Sequence, residues 1–291
     1  MDDLISLNDL SVNEIETIFK KTRETKGSIS DILTGKCLAM IFEKPSTRTR
    51  VSFENAMTQL GGHAIFLSPN DTQLGRGESI ADTARVLSRY VDAIMARLFD
   101  HGNIIDLAKN AEIPVINGLT DFCHPCQILT DLYTVLEKKG TLNLKFAWLG
   151  DGNNVCNSFI FAASKLKFQF SIATPRGFEP KALDDVDASN IEITHDPKNA
   201  VKDASVIITD TWVSMGQEEE KEKRLKIFKP FQVNQELIRF ADPNYLFMHC
   251  LPAYRGYEVT TDVIDGPNSI VWDEAENRLH VQKAILTLLI H

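Results

Sequence analysis

The stretch Glu43-Lys44-Pro45-Ser46-Thr47-Arg48-Thr49-Arg50 gathers the side chains that a phosphate would want. The hydroxyls of Ser46, Thr47 and Thr49 can donate, and Arg48 can grip two phosphate oxygens with its planar fork. Thr47 to Leu60 reads as a helix. An anion at its start would also meet backbone N–H groups and the positive end of the helix dipole. A plainer reading makes the same residues a helix cap, with Arg50 paired to Glu54 one turn on. Arg97 closes the apolar run Val91 to Ala96, and a charge at the end of a strand points into the crevice there. Cys123-His124-Pro125-Cys126-Gln127 has the spacing of a redox pair or half a zinc site. No second such pair follows. The other reading turns His124 and Gln127, one helical turn apart, toward a ligand and leaves the cysteines as packing.

The second half offers a different set. Gly150-Asp151-Gly152-Asn153-Asn154-Val155 resembles the opening of the dinucleotide fingerprint, but Val155 stands where its third glycine belongs. The two asparagines can instead cap a helix or bind a small polar ligand. Asp210, after Ser205 to Thr209, can pair with an amine or cap a helix. Glu218 to Lys226 is dense in both charges and reads as a solvated helix face. Cys250, in His249-Cys250-Leu251-Pro252, can serve as a nucleophile or proton acceptor, or can be packing. Pro252 is a candidate for a cis bond. Arg278 sits near the start of a last helix.

These residues need a scaffold, and the sequence alternates apolar runs with helical patterns. Strands are expected at Cys37 to Phe42, Ala64 to Leu67, Ala93 to Leu98 and Pro114 to Asn117. Helices are expected at Thr47 to Leu60, Ile80 to Arg89, Ile104 to Asn110 and Pro125 to Lys138. A second series follows: strands at Lys145 to Leu149, Phe168 to Ala173, Ile191 to Thr194, Ser205 to Thr209, Tyr245 to His249 and Ile270 to Trp272. Helices fall at Asn154 to Leu166 and Glu274 to Ile290. Continuous apolar strands between helices indicate parallel sheets covered on both faces. The fold class is α/β, with two domains, each a mostly parallel sheet covered by helices. The first spans 1–138 and the second 139–274. Ligands in such sheets bind beyond the carboxyl ends of the strands, where every candidate above lies.

The chain has 291 residues, with 31 Lys and Arg against 40 Asp and Glu, a formal charge of −9. That balance argues against a general nucleic-acid binder. No apolar run approaches the ~20 residues of a membrane span, and the acidic start Met1-Asp2-Asp3 lacks a secretory signal. Five cysteines do not make a disulfide framework, so a reduced, cytoplasmic protein is expected.

Taken together, FEKPSTRTRVSFE, HPCQ, GDGNN, DTWVSMGQEEE, HCLP and AENR resemble the transcarbamoylase family in order and separation across nearly the whole chain. The SMG and HCLP segments resemble its ornithine-using branch. The resemblance implies transfer of a carbamoyl group from carbamoyl phosphate to the δ-amine of L-ornithine, with no metal and no cofactor. It implies that the last helix, 275–291, returns to the first domain. It implies a homotrimer with shared sites. Ser46, Thr47, Arg48, Thr49, Arg97, His124, Gln127, Leu251 and Arg278 would hold carbamoyl phosphate, with Gln73 reaching a neighbouring subunit's pocket. Asn154, Asp210, Ser214 and Met215 would contact ornithine. Cys250 would be the catalytic thiol, beside Arg97 and His124, and would also touch carbamoyl phosphate. The SMG segment would close over bound substrates. Between Phe178 and Thr194 the chain is shorter than the family pattern, with DDVDASN where that pattern has a longer helix. Sister enzymes using aspartate, putrescine or an acylated ornithine, and a non-catalytic anion-binding subunit, are the alternatives.

Overall fold

The computed structural model describes residues 1–68, 77–213 and 218–290. The chain divides into two compact units, Met1–Tyr133 with Glu276–His291, and Thr134–Ala275.

The first unit runs α1 (Val12–Thr25), β1 (Cys37–Phe42), α2 (Thr47–Gln59), β2 (His63–Leu67), α3 (Ile80–Leu87), β3 (Ala93–Arg97), α4 (His101–Asn110), β4 (Val115–Leu119) and the first part of α5 (Pro125–Lys139). Its strands are parallel, in the order β2-β1-β3-β4. All six residues of β1 are buried, as a strand covered on both faces requires. From β1 the chain steps to β2 on one side, then returns to β3 on the other. The loops leaving β1 and β3 therefore diverge, which opens a crevice at their carboxyl ends. Phe42 pairs with Arg97 across that junction, so the Glu43–Ser46 turn and Arg97 share one sheet edge.

The sequence reading began at β1, yet α1 precedes it. A capping box marks its start: Ser11 Oγ accepts from Glu14 N, and Glu14 Oε2 accepts from Ser11 N at 2.8 Å. Ile15, Ile18, Phe19 and Thr22 make its buried stripe.

The second unit contains β5 (Lys145–Leu149), α6 (Asn154–Leu166), β6 (Gln169–Ala173), β7 (Ile191–Thr194), α7 (Pro197–Val201), β8 (Val206–Thr209), α8 (Lys221–Phe228), α9 (Gln235–Ile238), β9 (Leu246–Met248), α10 (Thr261–Ile264) and the start of α11 (Val271–Leu289). Its parallel order is β7-β6-β5-β8-β9, with the reversal between β5 and β8. The loops holding Asp151 and Asp210 leave from that reversal. The remainder of α11 lies on the first unit, as the resemblance implied. There Lys283 Nζ donates to the carbonyls of Thr25 and Ser28 and to Gln59 Oε1, and Lys26 Nζ donates to Asn277 Oδ1.

Two expectations need correction. Ile270 to Trp272 is not a strand. Ser269 makes a single bridge to Phe247, Ile270 N bonds Phe247 O, and the helix starts at Val271. Strand propensity reflects a covered pleat. Trp272 is 63% exposed, and Asp273 and Glu274 favour a helix start. In the short stretch between Phe178 and Thr194 stands a one-turn 3-10 helix, Ala182–Asp185. Asn157 Oδ1 fixes it by accepting from Lys181 N and Ala182 N. It leads into β7, an edge strand whose residues are only half-covered. α7 packs on β5 and β6 nearby.

The second correction concerns Glu218 to Lys226, which is not wholly solvated. Arg224 is buried between the rings of Phe178 and Phe228, each 5.0 Å away. Its Nε donates to Trp212 O and its guanidinium pairs with Asp151. Burial pushes the Asp151 carboxyl up, and Arg224 opposes that. Arg224→Met should cost about 3–5 kcal/mol, because it strands a buried carboxylate. Urea unfolding followed by tryptophan fluorescence checks this, and a loss below ~1 kcal/mol would show the pair to be dispensable.

Candidate active site

In the first unit, Ser46 caps α2, accepting from Thr49 N at 3.2 Å. Arg50 pairs with Glu54 at 3.0 Å. Both parts of the plain cap reading are therefore present. They do not exhaust the segment, because the cap answers one backbone N–H of a first turn that leaves several unbonded. Three helices meet around Thr49. Arg278, from α11, donates to Thr49 Oγ1 at 3.1 Å and to Gln127 Oε1 on α5. Thr49, Gln127 and Arg278 are all buried. Lys44, also buried, pairs with Asp121 and lies 4.4 Å over the Phe99 ring, tying the turn after β1 to the loop after β4.

His124, which immediately precedes α5, feels the charge of this cluster. Burial pushes its pKa well below the usual value, and the charges of Arg278, Arg97 and Arg48 push it further down. The ring is therefore a neutral hydrogen-bonding group among three cations. In chemical terms such a set could hold a dianion on its guanidinium groups and a neighbouring carbonyl on a ring N–H. The linkage has a sign. The unfolded ring takes a proton near pH ~6.5 and the folded ring only well below that, so stability from the neutral ring is complete above about pH 6.5 and is lost as the pH falls. The parent should lose unfolding free energy more steeply below pH ~6 than His124→Gln does. Parallel curves would mean that the ring is not held neutral.

The neighbouring cysteines are packing. Cys123 and Cys126 are fully buried, Cys126 Sγ donates to Asn117 O at 3.4 Å, and burial pushes both thiols up to about 12. Such thiols stay protonated at neutral pH and make poor redox or metal groups.

In the second unit, the loops after β5, β8 and β9 converge on Asp210, which is buried. Asn153, the N-cap of α6, donates to Asp210 Oδ2 at 2.7 Å. Thr211 N donates to Oδ1 at 2.7 Å, and Cys250 Sγ donates to the same oxygen at 3.2 Å. Asn154 is the first residue of α6. A dinucleotide does not fit this loop as its fingerprint would require. Gly152 N donates to Phe178 O, and a Cβ on Gly152 would run into the Phe178–Pro180 backbone, so its small size admits chain rather than pyrophosphate.

His249 and Glu258 set the Cys250 loop, and the sequence reading missed both. Leu251 N donates to His249 Nδ1 at 2.8 Å, so Nε2 carries the proton and donates to Glu258 Oε1 at 3.2 Å. Glu258 is fully buried, and the Leu251-Pro252 bond is cis. The adjacency of His249 to Cys250 was a usable signal, but nothing in the sequence marked Glu258. Asp210, His249 and Cys250 offer ligand atoms within 4.8 Å of one another, the one such metal-competent group among the described residues. Both His249 nitrogens are already engaged, so a metal would have to displace either Leu251 N or Glu258. Gln73, Ser214 and Met215 lie outside the described residues, as does most of the SMG segment.

Residues 2–137 match the carbamoyl-phosphate-binding domain of the aspartate/ornithine carbamoyltransferases, and 142–289 match their aspartate/ornithine-binding domain. The chain belongs to that family. It is 58% identical to the ornithine carbamoyltransferase of Pyrococcus abyssi, over 99% of this chain and 95% of that one. Its identity to the Bacillus subtilis ornithine carbamoyltransferase is 54%, over 99% and 94%. The solved ornithine carbamoyltransferase of Pyrococcus furiosus superposes with a TM-score of 0.94 at 57% identity, covering 99% of this chain and 96% of that one.

Proposed function

We propose that this protein transfers the carbamoyl group of carbamoyl phosphate to the δ-amine of L-ornithine, giving L-citrulline and phosphate. The observation that carries the reading is that Arg278 is bonded to Thr49 and Gln127 in the first unit while its charge and those of Arg97 and Arg48 act on the buried ring of His124. The names of the relatives supply the acceptor. The amine must be neutral to attack, and its free pKa is near ~10.4, as for a lysine side chain. Attack forms a C–N bond and puts charge on the carbamoyl oxygen. Arg97, His124 and Thr49 stabilise that oxygen. The C–O bond to phosphate then breaks, and Arg48 with the start of α2 receives the departing phosphate. The ornithinium nitrogen starts with two more protons than the ureido nitrogen keeps: one goes to the Cys250–Asp210 pair and on to solvent, and the other leaves on the departing phosphate. Nothing is oxidised or reduced, so the transfer calls for no redox cofactor.

The same reading assigns Asn154, Ser214 and Met215 to ornithine, Leu251 to carbamoyl phosphate and Gln73 to a neighbouring subunit's pocket in a homotrimer. It makes the protein a cytoplasmic enzyme of arginine metabolism. Purified protein should form citrulline from carbamoyl phosphate and ornithine. The same assay with aspartate, putrescine and an acylated ornithine tests the acceptor, and faster transfer to any of them would overturn it. No transfer to any amine would overturn the enzyme reading.

A further inference from the structure

The carbamoyl-phosphate cluster holds a buried carboxylate that the mechanism above does not use. Asp131 lies on α5, one turn past Gln127, and is only 2% exposed. Gln127 Nε2 donates to Asp131 Oδ1 at 2.8 Å. Its other amide atom, Oε1, accepts from Arg278, and Arg278 also donates to Thr49 Oγ1 at 3.1 Å. Four buried side chains thus form one line, from Asp131 through Gln127 and Arg278 to Thr49 at the start of α2.

The direction of every bond in that line follows from its two ends. Arginine can only donate, so the Gln127 carbonyl must face Arg278 and its NH2 must face away. A carboxylate accepts and does not donate, so Asp131 holds the amide in that orientation and no other. Without it the amide can turn over, and an NH2 would then oppose the guanidinium.

We infer that Asp131 is a positioning residue: through Gln127 it fixes the Arg278 guanidinium on Thr49 before the phosphate donor arrives. The inference rests on the proposed function for its ligand, but the hydrogen-bonded line itself does not. Preorganised donors bind an anion without reordering cost, and outer partners of ligand-holding groups typically matter by about tenfold or more.

Two measurements test it. Crystal structures of ligand-free parent and Asp131→Ala read the line directly. The expected result is loss of the Arg278–Gln127 bond in the variant, and retention of that bond would overturn the inference whatever the protein binds. Calorimetry with carbamoyl phosphate reads the consequence. Asp131→Ala should bind at least about tenfold more weakly. Asp131→Asn should come within about threefold of the parent, because its carbonyl still accepts from Gln127 Nε2. A residue that only supports folding would lower the melting temperature without this recovery by asparagine. Equal binding by alanine and parent, or equal weakening by alanine and asparagine, would overturn the inference. If Asp131→Ala does not fold, Asp131→Ser, whose hydroxyl falls short of the amide, takes its place in both measurements. A parent that takes up no carbamoyl phosphate would sink the proposed function, and the structures would still decide the role of Asp131.

Discussion

Arg48→Gly should raise the carbamoyl-phosphate KM about 100-fold and lower kcat by a further ~10-fold or more, with the KM for ornithine much less affected. Arg48 is the second residue of α2, where the helix dipole and the arginine act on the same anion. It also acts electrostatically on His124, which places its charge close to the pocket's centre. Binding of the dianion loses a bidentate, charge-assisted contact, which appears in KM. The leaving phosphate loses the same contact as its charge grows, which appears in kcat. Glycine removes the side chain from a half-buried position, so the fold should survive and circular dichroism should be unchanged. Steady-state kinetics with each substrate varied separates the two effects. Unaltered constants for both would remove the β1–α2 turn from the mechanism.

Most strands and long helices could be read from the sequence because parallel sheets write themselves plainly. Cys37–Phe42 and Lys145–Leu149 are short apolar runs with turn residues after them, and each lies at the middle of its sheet. The failures share a cause. At Ile270–Trp272 an apolar run was read without knowing whether a neighbouring strand could receive it, and only Phe247 does, at a single bridge. At Arg224 a run of charges hid one that is buried, because its partners Asp151 and Trp212 are 73 and 12 residues away. Most of the candidate residues fell just after strand ends. Their partners did not announce themselves. Arg278 reaches Thr49 across 229 residues, and Glu258 strikes no pattern with His249. Sequence spacing reports neighbours within a helix or along a strand, whereas these bonds depend on which loops the sheet order gathers.

Asp210→Asn should lower kcat by about 10²–10⁴, the usual range for a lost proton acceptor. Cys250→Ala should lower it too, and the double variant should be little worse than Asp210→Asn alone. The reason is the hydrogen bond at 3.2 Å, in which the thiol donates to Asp210 Oδ1. If sulfur is to take a proton from the amine, its own must pass to the carboxylate, so the two act as one acceptor. Groups that act as a unit are not additive. The pH dependence carries the same point. With the acceptor gone, the rate must rely on amine that solvent has already deprotonated. That fraction rises about 100-fold between pH 7 and 9 for a group with a pKa near ~10.4, so alkaline pH should recover much of the lost rate in the variants. Asparagine keeps the size of Asp210 and can still accept from Thr211 N, which limits the change in shape. Losses that add fully in the double variant would mean independent roles. A normal rate and pH profile in Asp210→Asn would leave the proton to be removed elsewhere.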